Sequence, residues 1–104
     1  MPGDRSASLL GLAMKAGKVS SGEFAAENAI REGKAYLAII ATDASKNTAK
    51  RFRDKCSYYK VPIVFHFTKE ELGRALGKEE RAAAVITDKG LAEALEGKLL
   101  PDKK

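Results

Sequence analysis

Tryptophan is absent from this 104-residue chain, and cysteine and histidine occur once each, as Cys56 and His66. A single thiol makes an intramolecular disulfide or a thiolate-rich zinc or iron–sulfur site impossible. A single imidazole, with no pair of carboxylates in contrasting surroundings, leaves little for acid–base chemistry near neutral pH. No catalytic residue, resident metal or cofactor is therefore expected. Long apolar stretches are missing as well. The longest, residues 35–41, has seven residues, against the roughly 20 that a membrane helix needs. The first eight residues lack the basic-then-apolar order of a secretory signal, so a cytoplasmic protein with no membrane partner is expected.

What the chain does contain is enough for one core. With 44% hydrophobic and 32% charged residues, residues 1–104 read as a single domain, burying about 65% of the surface its unfolded form would expose. Residues 100–104 read as a frayed tail. Nineteen Lys and Arg against 14 Asp and Glu give a net charge of +5, which favours an anionic partner. The surplus is local. Residues 15–60 hold ten basic and five acidic side chains, whereas residues 61–104 hold eight of each.

Helices and strands alternate along the whole length. Residues 5–16 read as a helix with Leu9, Leu12, Ala13 and Ala16 on one side, stopped by Gly17. A short strand at 18–21 leads to Gly22, which opens a second helix ending near Glu32 and Gly33. Residues 36–42 form a continuous apolar run, the pattern of a central strand covered on both faces. Ser45 or Asn47 caps a third helix through Tyr59, with Ala49, Phe52, Cys56 and Tyr59 inward and Lys46, Lys50, Arg53, Ser57 and Lys60 outward. Pro62 introduces a strand at 63–67, in which Phe65 and Phe67 point one way and Val64 and His66 the other. Thr68 and Glu71 have the spacing of a capping box for a fourth helix to Leu76. A strand at 82–87 and a helix capped by Asp88 complete the series. Such alternation with two-sided apolar strands implies an α/β fold, a three-layer α/β/α sandwich.

The second helix carries an unexpected residue. At about 100° per residue, Ala25, Ala26, Ala29 and Ile30 share one side, and Phe24 falls opposite with Asn28 and Arg31. An aromatic ring beside an amide and a guanidinium, at a glycine-flanked helix start, suits RNA bases and phosphates. A ring folded over the preceding loop to close the local core is the plainer alternative. Lys15 and Lys18 bracket Gly17, and Arg31 and Lys34 flank the end of the helix, so these four are expected as a basic rim around Gly22. His66 is expected to be half-buried, and Cys56 to be core packing with little reactivity.

The strings Gly17-Lys18-Val19-Ser20-Ser21-Gly22 and Ala29-Ile30-Arg31-Glu32-Gly33-Lys34-Ala35-Tyr36-Leu37-Ala38-Ile39-Ile40-Ala41 resemble the kink-turn-binding ribosomal protein superfamily, which includes large-subunit proteins of the seven-Ae and thirty-e types. Val61-Pro62, Glu71-Leu72-Gly73-Arg74-Ala75-Leu76-Gly77-Lys78 and Ala83-Ala84-Val85-Ile86 agree with it. Residues 43–48 and 54–62 look most like its bacterial YlxQ group. The resemblance implies a mixed four-stranded sheet. It also implies that RNA is read at the loop and helix start beginning at Gly22, and at a second loop before the last strand. Characteristic members follow the glycine with a polar pair, often Asn-Glu, and place a lysine later on the same face. Here Phe24 and Ala25 stand at the pair and Asn28 at the lysine. Arg81 matches an arginine of some members, while Glu79 and Glu80 occupy a loop that is often apolar.

These readings together nominate Gly17, Lys18, Gly22, Glu23 and Phe24 as RNA-contacting residues. Asn28, Arg31, Lys34, Lys78 and Arg81 complete the set. The expected protein is a monomeric, non-enzymatic RNA binder of ribosomal or kink-turn RNA, with the ribosome or its assembly proteins as further partners. A ribosome-associated adaptor with only non-specific RNA affinity is the alternative.

Overall fold

The computed structural model describes residues 5–99, in the order α1 (Arg5–Lys15), β1 (Val19–Ser21), α2 (Glu23–Arg31), β2 (Leu37–Ile40), α3 (Lys46–Tyr59), β3 (Ile63–Phe65), α4 (Lys69–Ala75), β4 (Ala83–Ile86) and α5 (Lys89–Leu99). The expected fraying of residues 100–104 lies outside the described residues. The four strands form one mixed sheet in the order β1-β4-β2-β3. β4 is antiparallel to both β1 and β2, and β2 is parallel to β3.

Alternation along the strands builds two cores. Leu37 and Ile39 of β2 and Ala84 and Ile86 of β4 face α1, α4 and α5, where they meet Leu10, Leu72 and Leu95. Ala38 and Ile40, with Ala83 and Val85, face α2 and α3, where they meet Ala26, Ile30, Phe52 and Cys56. All four residues of β2 and of β4 are buried, as continuous apolar runs require when helices cover both faces. The result is the three-layer α/β/α sandwich.

Local chemistry sets the helix ends. Ser45 caps α3 by accepting from the Thr48 amide at 3.1 Å. Thr68 and Glu71 form the expected capping box at α4, with bonds of 3.1 and 2.9 Å. The Asp88 carboxylate accepts from the Leu91 amide at 2.9 Å and starts α5.

Three expectations are corrected. In α1 the inward residues are Ser6, Leu10 and Ala13, and Leu12 is 61% exposed; leucines at 9, 10 and 12 leave the phase of so short a helix ambiguous. In the third strand, pairing stops at Phe65, and Phe67 adopts φ 66°. That turn brings Phe67 beside Val64 in the α4-side core, away from Phe65. Tyr59 does not join Phe52 and Cys56 in the core: it is 38% exposed and meets Tyr58 edge to face. Helix α3 ends there because Lys60 takes a left-handed conformation, φ 61° and ψ 44°.

Candidate nucleic-acid interface

β1 and β4 bring two loops to one edge of the sheet. Ser21 pairs with Ala84, and the next amide, that of Gly22, donates to the Ala83 carbonyl at 2.9 Å. The end of β1 and the loop entering β4 therefore lie side by side. Gly22 has φ 94° and ψ 160°, a region essentially confined to glycine. It brings no side-chain cap to α2. The first-turn amides, which no helix satisfies internally, thus border an open depression lined by residues 21–25 of the turn and helix start and residues 80–82 of the loop before β4.

Arg81 ties the two loops together. Its Nε donates to Ser21 Oγ at 3.0 Å, and one terminal nitrogen donates to the carbonyls of Glu80 at 2.9 Å and Glu79 at 3.4 Å. Its backbone amide donates to the Lys69 carbonyl at 3.1 Å. The turning of both glutamate carbonyls onto Arg81 shows what holds this loop, while the Glu79 and Glu80 side chains are exposed. Gly73 of α4 lies directly beneath. A Cβ there would stand 2.0 Å from the Glu79 carbonyl oxygen, so only glycine admits the loop this close.

Phe24 is 79% exposed, so it does not close the local core. Asn28 and Arg31 continue its face along α2, and the Arg31 guanidinium donates to the Asn28 side-chain oxygen. Glu23 also lines the depression, and its carboxylate reaches towards α3. It pairs with Arg51 of α3, which also binds Glu27, and Thr48 Oγ1 donates to it at 3.4 Å. The hydrogen bonds that Arg51 donates to Glu27 and then to Glu23 raise its pKa. This arrangement answers two carboxylates on the helix that carries Phe24, lowering the negative potential next to the depression.

The expected rim around Gly22 does not form. Lys18 stands at the start of β1, where its carbonyl accepts from Thr87 at the far end of β4. Four extended residues put it about 13 Å from Gly22. Gly17 lies beyond it, with φ 75° after α1. Lys34 follows the other end of α2, its amide bonded to the Ala29 carbonyl, and its side chain pairs with Glu32 at 3.5 Å. The two clusters look adjacent in sequence because β1 is so short. The structure therefore groups Gly22, Phe24 and Arg81 at one end with Lys78 in the same loop as Arg81, runs Asn28 and Arg31 along α2, and leaves Gly17, Lys18 and Lys34 at the opposite end.

Ser21 and Gly73 were not foreseen. A glycine inside an otherwise good helix was the available signal for Gly73, since such a residue costs helix stability without a packing reason. Nothing in the sequence singled out Ser21. Among the described residues, no group of three or more His, Cys, Asp or Glu side chains is placed to hold a metal ion, and no helix is long and apolar enough to cross a membrane.

Residues 4–96 match the ribosomal protein L7Ae/L30e/S12e/Gadd45 family. The chain belongs to that family. It is 48% identical over 87 residues to the RNA-binding protein YlxQ of Bacillus subtilis (strain 168), covering 84% of this chain and 87% of that one. Among solved structures, a protein of unknown function from Bacillus halodurans superposes with a TM-score of 0.87 at 35% identity, over 90% of this chain and 95% of the other. The Giardia lamblia 15.5kD RNA binding protein gives a TM-score of 0.78 at 27% identity, over 89% and 82%. The sheet order and five helices described above are thus the family's architecture, and the paired loops at Gly22 and Arg81 belong to a fold found in chains named for RNA binding.

Proposed function

We propose that this chain is a non-enzymatic RNA-binding protein that takes structured RNA of the kink-turn kind at the Gly22 end of α2. The observation that carries the reading is the joining of Gly22 and Arg81. A glycine-only turn, unpaired helix amides and an anchored guanidinium meet in one open depression, beside a ring with nothing to pack on. Amides and Arg81 suit phosphates and base edges, and Phe24 suits a base face. Membership of the family and the names of its RNA-binding relatives support the same conclusion. Phe24 and Ala25 stand where a polar pair is characteristic, so readout in this chain rests on stacking, backbone amides and Arg81. The setting we propose is cytoplasmic and ribosome-associated.

The test is binding to a kink-turn RNA and to a matched duplex whose tandem G·A pairs are replaced by Watson–Crick pairs, at two salt concentrations. The expected preference is tenfold or more, about 1.4 kcal/mol. Equal affinities with the same steep salt dependence would show a non-specific cationic surface and favour an adaptor role, for which the two exposed carboxylates beside the depression would be the natural starting point.

A further inference from the structure

Helix α3 ends in two tyrosines that the core does not use. Tyr58 is 77% exposed and Tyr59 38%, and their rings meet edge to face with centroids 4.8 Å apart at 79°. Such a contact occupies one face of one ring and leaves the other three faces of the pair free of it. Arg51, Asp54 and Lys55 precede Tyr58 at helical steps and line one depression with the two rings. Asp54 is answered by Lys50 at 2.8 Å, and Arg51 is taken by Glu23 and Glu27. Lys55 stands beside the tyrosines, and Lys60 follows them at the helix cap. Residues 46–60 hold six basic side chains and one acidic one.

The position of this patch is fixed by topology. β1 and β2 are each antiparallel to β4, so α2 and α3 leave the same edge of the sheet and run side by side. Their starts are joined by Arg51 and Glu23. Tyr58 lies seven residues further along α3, about 10 Å from Arg51. The patch therefore extends the α2–α3 surface away from the Gly22 depression without overlapping it.

We infer that Tyr58 and Tyr59, with Lys55 and Lys60, form a second RNA contact that stacks unpaired bases of a single-stranded segment. Ring faces suit bases, which stack irrespective of sequence, and the adjacent ammonium groups suit the phosphates between them. Two rings amid lysines are too little apolar area for a hydrophobic protein partner, and an acidic peptide would answer the charge but not the rings. That the segment flanks a structured RNA held at Gly22 rests on the function proposed above; the contact itself does not.

The experiment titrates the protein with a single-stranded RNA octamer while following tyrosine ring and backbone amide resonances, alongside a separate titration with kink-turn RNA. The octamer is expected to move the Tyr58 and Tyr59 ring signals and the Lys55 amide, leaving Gly22 and Phe24 in place. Changing Tyr58→Ala with Tyr59→Ala should weaken octamer binding at least about fivefold, the low end for losing a stacked base. Tyr58→Phe with Tyr59→Phe should restore it, and both pairs should leave the melting temperature close to that of the parent. Octamer signals confined to other residues, or unchanged octamer affinity in the alanine pair, would overturn the inference, as would octamer binding that the phenylalanine pair fails to restore. A kink-turn titration that leaves Gly22 and Phe24 unmoved would instead count against the function proposed above, whatever the octamer does.

Discussion

Arg81 lies across Gly22: its Cδ would be 3.8 Å from a Cβ built on that glycine, and its Nε donates to the neighbouring Ser21 hydroxyl at 3.0 Å. The strand–helix turn and the loop before β4 are therefore one unit, and changes in either should be felt in both.

Gly22→Ala strains the turn even though the added methyl would meet Arg81 only at ordinary van der Waals distance. With φ 94° and ψ 160°, a side chain there should cost about 1–3 kcal/mol. Thermal unfolding should show a lower melting temperature, and RNA affinity should fall because the first turn of α2 shifts to relieve the strain.

Gly73→Ala tests how the second loop is held. The new methyl would stand 2.0 Å from the Glu79 carbonyl oxygen and 2.6 Å from its carbon, so backbone must move, at about 1–3 kcal/mol. Because Glu79 and Glu80 carry Arg81, RNA binding should weaken too, although Gly73 itself is buried beneath the loop. Gly97→Ala in α5, with nothing within 4 Å of the added carbon, should raise stability by about 0.5–1 kcal/mol and leave RNA binding unchanged.

Phe24→Ala separates function from folding. A ring 79% exposed contributes little to stability, so unfolding should shift by less than about 0.5 kcal/mol. Affinity for a kink-turn RNA should fall by about 1–3 kcal/mol if the ring stacks on a base, with a much smaller loss on a plain duplex.

Cys56 is buried at 1% exposure, and burial pushes its thiol up to about 11 from 9.0. The folded value is above the unfolded one, so the neutral thiol supports the fold fully below pH 9 and progressively less as pH rises from about 9 towards 11. The stability difference between the parent and Cys56→Ala should accordingly be constant through neutral pH and shrink above pH 9. Alkylation of the folded protein at pH 8 should proceed only through opening of the α3 face.

Most of the architecture was legible because β2 and β4 are apolar on both faces and the helix caps are strong. Thr68 with Glu71, and Asp88, act as their spacing implied. The phase of α1, the turn at Phe67 and the exposure of Tyr59 were not legible, since each depends on which neighbour arrives in the folded state. The exposure of Phe24 followed from its helical phase alone. The resemblance brought Gly22 and Arg81 into one list, but only the β1–β4 register shows them in contact. The same register separates Lys18 and Lys34 from Gly22, which a count of nearby cations had merged.

The central claim is that structured RNA is held where Gly22 and Arg81 meet. Its most direct test is a titration of isotope-labelled protein with a kink-turn RNA, following the amides of Glu23, Phe24 and Ala25 and the side-chain Nε of Arg81. The largest shifts are expected at those four groups, with Gly17, Lys18 and Lys34 little changed. Shifts concentrated at Gly17, Lys18 and Lys34, with the Gly22 end unmoved, would contradict it.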